Sequence, residues 1–197
     1  MTRIFDSLFS FLGLILLSPI LIVLMVIGYF DTGSPIFRQE RVGKGMHPFR
    51  LMKFRSMHIN APSVATHLAS ASSITPFGSF LRKSKLDELP QLWNVFVGDM
   101  SLVGPRPNLF NQEELIHERD SRGVYSVRPG ITGLAQINKI DMSTPQLLSE
   151  TDAKMIQELN TLVYFKYIFL TVFGKGFGDR IIKENKNGTI SPKSSHS

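Results

Sequence analysis

Residues 81–107 read LRKSKLDELPQLWNVFVGDMSLVGPRP and place acidic, basic and turn-forming residues close together. Two adjacent carboxylates, Asp87 and Glu88, follow a basic run and precede a Gly-Pro-Arg-Pro turn. Adjacent acids among cations are typical of a site that binds phosphate groups and a hard divalent cation. They are equally typical of a helix start, where Asp caps the first turn and Glu favours the helix dipole. This stretch therefore predicts a helix that begins with either a phosphate site or an ordinary cap.

The spacing of apolar residues predicts that this helix covers 86–97. Asp87 fits the N-cap position, and Pro90 falls in the first turn, where proline is tolerated. The free N–H groups of a helix start attract phosphate. A carboxylate there can attack phosphorus, and a neighbouring carboxylate can hold Mg²⁺ against the phosphate oxygens. Arg82, about one turn earlier, is placed to neutralise charge on a transferred phosphoryl group.

Two arginines lie in proline-containing turns. Arg106 is flanked by Pro105 and Pro107, and Arg128 precedes Pro129-Gly130. Because proline restricts the backbone, an arginine beside it loses less entropy when it binds an anion. The two turns together predict a phosphate clamp. The alternative is a pair of stiff loops whose arginines face water.

The composition restricts the class of protein. A chain of 197 residues is long enough for one domain with a hydrophobic core. It has no cysteine, which excludes disulfides and thiol catalysis, and its five scattered histidines lack the spacing of zinc ligands. The net charge of +6 and the pI near 9.7 favour anionic partners: nucleic acid, acidic lipid or phosphorylated substrates. No nucleic-acid recognition motif is present, so we expect no nucleic-acid partner.

The N-terminal segment predicts attachment to a membrane. Residues 8–30 contain no Asp, Glu, Lys or Arg, and as a helix they would extend about 35 Å, enough to cross a bilayer core. Ser18-Pro19 interrupts this segment. Proline removes a backbone hydrogen bond and bends a helix, and the serine hydroxyl can satisfy the freed carbonyl. A bent helix allows two topologies: a kinked span, or a re-entrant hairpin that returns both basic flanks to one side, as the positive-inside rule favours.

Further patterns predict the elements around the site. Residues 38–57 alternate basic with apolar residues around a turn at 43–45, which predicts a β-hairpin or extended segments. Within it, Lys53 and Arg55 either face water or enter an anionic pocket. We also expect a loop or short helix at 59–75, a helix at 108–122, an extended segment at 127–138, a helix at 145–162, an interfacial or core helix at 163–173 and a disordered tail at 181–197.

Five ordered motifs carry a resemblance to a known family. They are the apolar segment with Ser18-Pro19, KFRSM at 53–57, LDELPQL at 86–92, GDMSLVGPRP at 98–107 and RPGITG at 128–133. With these motifs the chain resembles the small monotopic phosphoglycosyl transferases of the bacterial sugar transferase family. Five motifs in order over about 140 residues are a specific signal.

The resemblance implies an α/β (α+β) fold and a membrane enzyme. It implies a re-entrant membrane helix at 1–32 and a small mixed catalytic domain with several amphipathic helices at 33–180. The enzyme would act at the cytoplasmic face of the bacterial inner membrane, with membrane lipid as a partner. It would move a sugar-1-phosphate from a UDP-sugar to polyprenyl (undecaprenyl) phosphate and release UMP. This reaction would be the first membrane step of a surface glycan, such as O-antigen, capsule, exopolysaccharide or a glycoprotein glycan.

The resemblance also assigns roles to individual residues. Asp87 would be the nucleophile that forms a covalent phosphosugar intermediate. Glu88 would assist with Mg²⁺ and positioning, so that the two carboxylates also form the metal site. Ser18-Pro19 would form the break of the re-entrant helix. The expected substrate-binding residues are Arg82, Arg106, Pro105, Pro107, Arg128, Lys53 and Arg55.

Two segments depart from the commoner family pattern, namely GLAQINKI at 133–140 and DAKM at 152–155. They leave the sugar undetermined. Two other hypotheses also remain: a non-catalytic basic membrane-associated scaffold of envelope glycan assembly, and an enzyme of direct displacement that uses Asp87 only as a metal ligand. The sequence further leaves open which glycan is made and whether the protein forms a homodimer.

Overall fold

The computed structural model describes residues 2–61 and 73–173. The helices are α1 Thr2–Leu16, α2 Ser18–Thr32, α3 Pro76–Ser84, α4 Gln91–Val97, α5 Glu113–Ser121, α6 Leu134–Ile137, α7 Pro145–Glu158 and α8 Thr161–Val172. The strands are β1 Ile36–Val42, β2 Pro48–Phe54, β3 Ser101–Val103 and β4 Gly130–Thr132, and 3-10 turns lie at Lys44–Met46, Leu86–Glu88 and Val124–Ser126. The expected mixture of helices with small sheets is confirmed.

A sharp bend of 63° joins α1 to α2. Pro19 has no N–H to donate to the Ile15 carbonyl, and the Ser18 hydroxyl donates to that carbonyl instead, at 2.7 Å. The predicted break and its hydroxyl compensation are confirmed. Within the described residues, no single helix is long and apolar enough to cross a membrane, whereas this bent pair meets that requirement by length and composition alone.

The beginning of α1 is fastened to the rest of the protein by polar side chains. The Arg3 guanidinium donates to two carbonyls in the last turn of α4, where the helix dipole favours a cation. Asp6 is buried and accepts hydrogen bonds from Ser101 Oγ at 3.0 Å, the Leu102 N–H at 2.8 Å and the Tyr164 hydroxyl at 2.7 Å. One carboxylate of the apolar helix thus connects α1 to both β3 and α8.

The end of α2 is fastened to the same body at a different place. The Thr75 hydroxyl, which caps α3, donates to the Asp31 carboxylate at 2.7 Å. Leu24 of α2 is buried with Phe54 of β2 and Leu81 of α3 in one hydrophobic cluster. Both arms of the bent pair therefore return to the domain, while most of the apolar residues near the bend are exposed.

Strands β1 and β2 form the predicted hairpin, which is confirmed as an antiparallel pair. The edge of β2 is completed by a side chain rather than by a third strand. The Asn94 amide of α4 donates to the Arg50 carbonyl at 2.8 Å and accepts from the Met52 N–H at 2.9 Å. Both bonds resemble those that a neighbouring β-strand would make with β2. They therefore fix the position of β2, and of Lys53 within it, relative to α4.

The second sheet is a parallel pair, β3 with β4, and α5 lies in the connection between them. Immediately beyond β3, Gly104 contacts Gly130 backbone to backbone. A Cβ atom on Gly130 would lie 2.0 Å from the Gly104 nitrogen, which no side chain tolerates. These two glycines allow the two Arg-Pro turns to pack directly against one another.

The helix predicted over 86–97 is wrong in its first half. Residues Leu86–Glu88 form a single 3-10 turn, and α4 begins only at Gln91 with Pro90 at its N-cap position. Pro90 has no N–H for an α-helical bond to the Leu86 carbonyl, and that carbonyl accepts from the Leu89 N–H at 3.2 Å instead. Asp87 therefore lies inside a 3-10 turn and is not the N-cap of α4.

Other boundaries differ for equally local reasons. The extended segment predicted at 127–138 is strand only at Gly130–Thr132 and becomes helical at Leu134–Ile137. The helix predicted at 145–162 ends at Glu158, because the Asn160 side chain caps a new helix by accepting from the Val163 N–H. The predicted helix at 108–122 spans Glu113–Ser121, and α3 was not predicted despite its Thr-Pro start. Most of the loop expected at 59–75 and the whole tail at 181–197 lie outside the described residues.

Candidate active site

Asp87 lies at the meeting point of α3 and α4. Lys85 adopts a left-handed conformation with φ of 59°, which ends α3 and redirects the chain into the 3-10 turn. Leu86 packs against the cluster that joins α2 to α3. Held in this way, Asp87 is only 4% exposed. Asp87 is thereby shielded from water, and its neighbour Leu86 packs on a cluster that includes Leu24 of α2.

Glu88 joins three segments that are far apart in the sequence. Its Oε1 atom lies 3.0 Å from Nη2 of Arg106 and 3.6 Å from Nζ of Lys53. Lys53 comes from β2, and Arg106 comes from the turn that follows β3. The structure therefore places the KFRSM, LDELPQL and GPRP motifs around one carboxylate. The charge on Glu88 holds the two cations close together, where they would otherwise repel one another.

Arg82 lies in the last turn of α3. Its Nε donates to the Ser56 hydroxyl at 2.7 Å. Its Nη1 is buried and has no hydrogen-bond partner among the described residues. A buried guanidinium nitrogen with an open donor is suited to an anionic ligand.

Arg55 and Arg128 make their hydrogen bonds away from Glu88. The Arg55 Nε donates to the Ser34 carbonyl at 2.8 Å, and its guanidinium lies 5.5 Å from the centre of the Phe37 ring. Arg128 donates from Nε to the Gly98 carbonyl at 2.7 Å, at the far end of α4 from the Asp87 turn. The two Arg-Pro turns touch through their backbones, but their guanidinium groups bond to different parts of the protein.

The carboxylates of Asp87 and Glu88 are suitable ligands for Mg²⁺ if a phosphate group supplies further oxygens. Mg²⁺ takes one or two carboxylates and completes its shell with water or phosphate oxygens. Asp87 and Glu88 supply such oxygens on one turn, and the described residues contain no group of three or more His, Cys, Asp or Glu side chains that could hold a metal. A cation bound here would therefore take most of its ligands from a phosphorylated substrate and from water.

Several residues that shape the site were not predicted from the sequence. Arg119 of α5 is buried, and its Nη2 lies 2.7 Å from the Asp152 carboxylate of α7. Burial raises the pKa of that carboxyl, while the neighbouring guanidinium opposes the shift. Asp6 was missed as well, although one carboxylate at the beginning of a long apolar segment was a visible signal. Arg119 gave no such signal, because a charged residue in a polar helix is ordinarily exposed.

The fold and the site define a class: a small α/β protein in which an apolar bent helix pair precedes a domain whose Glu88 carboxylate contacts Lys53 and Arg106. A family model described as bacterial sugar transferase matches residues 1–176. The chain belongs to the bacterial sugar transferase family.

Curated relatives support this placement. The chain is 42% identical, over 89% of its length, to a UDP-glucose:undecaprenyl-phosphate glucose-1-phosphate transferase of Klebsiella pneumoniae. It is 38% identical, over 87% of its length, to a protein of the same name in Escherichia coli strain K12. It covers only 40% and 39% of those two proteins. An uncharacterized sugar transferase, EpsL of Bacillus subtilis strain 168, is 37% identical and is covered over 84% of its length.

Proposed function

We propose that this chain transfers a sugar-1-phosphate from a UDP-sugar to undecaprenyl phosphate and releases UMP, with Asp87 as the nucleophile. The observation that carries the proposal is the contact of Glu88 with both Lys53 and Arg106 beside the buried Asp87. This contact joins three motifs and supports a site in which Asp87 would be the nucleophile and the two cations would bind phosphate. The Klebsiella and Escherichia relatives bear names that describe such a transfer for glucose.

The first half of the reaction is an attack on the donor. An oxygen of the Asp87 carboxylate forms a bond to the phosphorus that carries the sugar, and the bond from that phosphorus to the bridging oxygen breaks. UMP leaves with the electron pair of that bond. Arg82, Arg106 and Lys53 stabilise the negative charge that spreads over the phosphoryl oxygens, because a cation in a partly buried site interacts more strongly than one in water.

The second half regenerates the enzyme. A phosphate oxygen of the polyprenyl acceptor attacks the same phosphorus, and the bond to the Asp87 carboxylate breaks. Bound Mg²⁺ would neutralise phosphate charge during transfer. Glu88 orients Lys53 and Arg106, and the burial of Asp87 limits hydrolysis of the covalent intermediate by water.

The N-terminal pair, in this proposal, enters the cytoplasmic face of the inner membrane as a re-entrant hairpin. The support is that both arms return to one body, through Arg3 and Asp6 at one end and Asp31 at the other. A kinked span would instead place the beginning of α1 and the domain on opposite sides of the membrane, so the contacts of Arg3 and Asp6 with the domain favour the re-entrant form. The exposed apolar residues around the bend, including Leu16 and Ile22, would then face lipid. The acceptor would reach Asp87 along the same lipid surface.

The test is a panel of UDP-sugars assayed for UMP release with undecaprenyl phosphate in detergent or nanodiscs. A second arm incubates the protein with a donor labelled in its sugar and without acceptor. We expect label on the parent protein and none on Asp87→Asn, with Asp120→Asn, an exposed aspartate of α5, as the control for loss of a carboxylate. Turnover without a labelled protein would favour direct displacement. Near-normal turnover by Asp87→Asn would refute the proposal, and membrane binding without turnover on any sugar would favour the scaffold hypothesis.

A further inference from the structure

The loop that carries Arg106 is held through its backbone carbonyls. Pro105 and Pro107 have no N–H, so few backbone donors of the loop itself are available to fix it. Five consecutive carbonyls, those of residues 104–108, instead accept hydrogen bonds from residues elsewhere in the chain. The donors are Gln136 Nε2, Gly130 N, Arg119 Nη1, Arg41 Nη1 and Val42 N, in the order of the carbonyls.

Arg119 holds the carbonyl of Arg106 itself. Its Nη1 donates to that carbonyl at 2.8 Å and to the Asn108 side chain at 2.9 Å. Its Nη2 donates to Asp152 at 2.7 Å, and the two ionic side chains are 1% and 0% exposed. Asp152 therefore fixes the guanidinium from α7, and the guanidinium fixes the loop.

Burying the ion pair of Arg119 and Asp152 costs desolvation energy, a cost that a pair of hydrophobic side chains would not carry. The fixed carbonyl of Arg106 lies in the residue whose guanidinium reaches Glu88 at 3.0 Å. A shift of the loop by about 1 Å would break that contact, since charge-assisted hydrogen bonds depend strongly on distance.

We propose that Arg119, oriented by Asp152, is a positioning residue that acts through Arg106. It holds the Arg106 carbonyl so that the Arg106 guanidinium is presented to Glu88 and to the phosphates of the donor. The assignment of the donor rests on the proposed function, whereas the contact between Arg119 and the loop does not. Arg119 itself touches no substrate.

The decisive experiment is a double-mutant cycle between Arg119→Lys and Arg106→Gln, measured as kcat/KM for the UDP-sugar. Lysine keeps the charge beside Asp152 but loses the fork that reaches the carbonyl. We expect Arg119→Lys to lower kcat/KM by about 10-fold to 100-fold in the parent and by less than about twofold in the Arg106→Gln background. Equal losses in both backgrounds would overturn the proposal, because a merely structural residue lowers activity whether or not Arg106 is present.

Arg122→Lys is the matched control. Arg122 also lies at the end of α5 and also pairs with a carboxylate of α7, Glu150 at 3.4 Å, but on the exposed side. Its substitution should leave kcat/KM within about twofold in both backgrounds. If Arg119→Lys does not fold, Asp152→Asn takes its place, since it keeps the shape of the partner and removes only its charge.

A second measurement, which does not require enzyme activity, tests the positioning role of Arg119 separately from the proposed function. Phenylglyoxal modifies accessible arginines, and mass spectrometry reports the rate at each one. We expect the rate at Arg106 to rise several-fold in Arg119→Lys and to stay unchanged in Arg122→Lys. If the parent releases no UMP from any UDP-sugar but the modification rate rises, the proposed function fails and the positioning stands. An unchanged rate at Arg106 refutes the positioning.

Discussion

The Nη2 atom of Arg106 lies 3.0 Å from Oε1 of Glu88, and the same oxygen faces Lys53 at 3.6 Å. One carboxylate oxygen thus joins a strand, a 3-10 turn and a proline-flanked loop. The side chains of these three residues are partly buried, so solvent screens the interaction less than it would at the surface. Glu88 consequently determines where the two cations stand relative to Asp87.

Glu88→Gln should impair transfer while the protein remains folded. The amide keeps the shape of the side chain but removes the charge that balances Lys53 and Arg106, so the two cations separate. We expect UMP release to fall by about tenfold or more. Glu114→Gln, an exposed carboxylate of α5, is the control and should have no effect. A Glu88→Gln protein with parental activity would show that the charge of Glu88 does not organise the site.

Asp6→Ala should detach α1 from the domain. Three donors, Ser101 Oγ, Leu102 N–H and the Tyr164 hydroxyl, would lose their common acceptor in a buried position. The free energy of unfolding should fall by about 3 kcal/mol or more, since each buried donor without a partner costs about 1 to 3 kcal/mol. Denaturant unfolding in detergent measures it, with Ser7→Ala on the same helix as the control. A change no larger than the control's would contradict the anchoring role of Asp6.

The buried Tyr164 should make stability fall at alkaline pH. Burial and the nearby Asp6 carboxylate raise the pKa of Tyr164 well above its ordinary value of 10.0. The folded protein therefore keeps this proton after the unfolded chain has begun to lose it. The contribution of the neutral Tyr164 hydroxyl to the free energy of unfolding is complete below about pH 10 and is lost as the pH rises above that value. Between about pH 8 and about pH 11, the free energy of unfolding should decline less steeply in Tyr164→Phe than in the parent.

Loss of the hydrogen bond to Asp6 lowers the stability of Tyr164→Phe at every pH, so only the slope is diagnostic. Parallel curves for the parent and Tyr164→Phe would mean that Tyr164 ionises normally in the folded protein.

The break at Ser18-Pro19 should decide the topology of the N-terminal pair. The chain has no cysteine, so Thr2→Cys or Asn60→Cys supplies a unique label site. With an impermeant maleimide, we expect both sites to react from the same side of inverted membrane vesicles. Adding Ser18→Leu with Pro19→Leu restores a continuous helix, and part of the Thr2→Cys population should become accessible from the opposite side.

Ser18→Ala alone keeps Pro19 and should preserve the parental labelling pattern. If Thr2→Cys and Asn60→Cys label from opposite sides in the otherwise unchanged protein, the pair is a kinked span and the re-entrant proposal is wrong. If the double leucine variant labels as the parent does, the break does not set the topology.

Local patterns in the sequence predicted the features that depend on near neighbours. The bend at Ser18-Pro19 follows from a missing N–H and a hydroxyl one residue away. The hairpin follows from alternation around a turn. A local failure at the start of α4 also has a local cause: Pro90 forces a 3-10 turn that places Asp87 before the helix instead of at its cap.

By itself the sequence determined the motifs, their order and the family to which the chain belongs. Only the tertiary structure decided which of the basic residues meet the carboxylates. It brings Lys53 and Arg106 to Glu88, while Arg82 bonds to Ser56. Arg55 and Arg128 bond to backbone carbonyls elsewhere, and Arg119 is buried against Asp152. The physical reason is that the residue type alone gives a side chain its charge. Its partner and its burial depend on how segments far apart in the chain pack together.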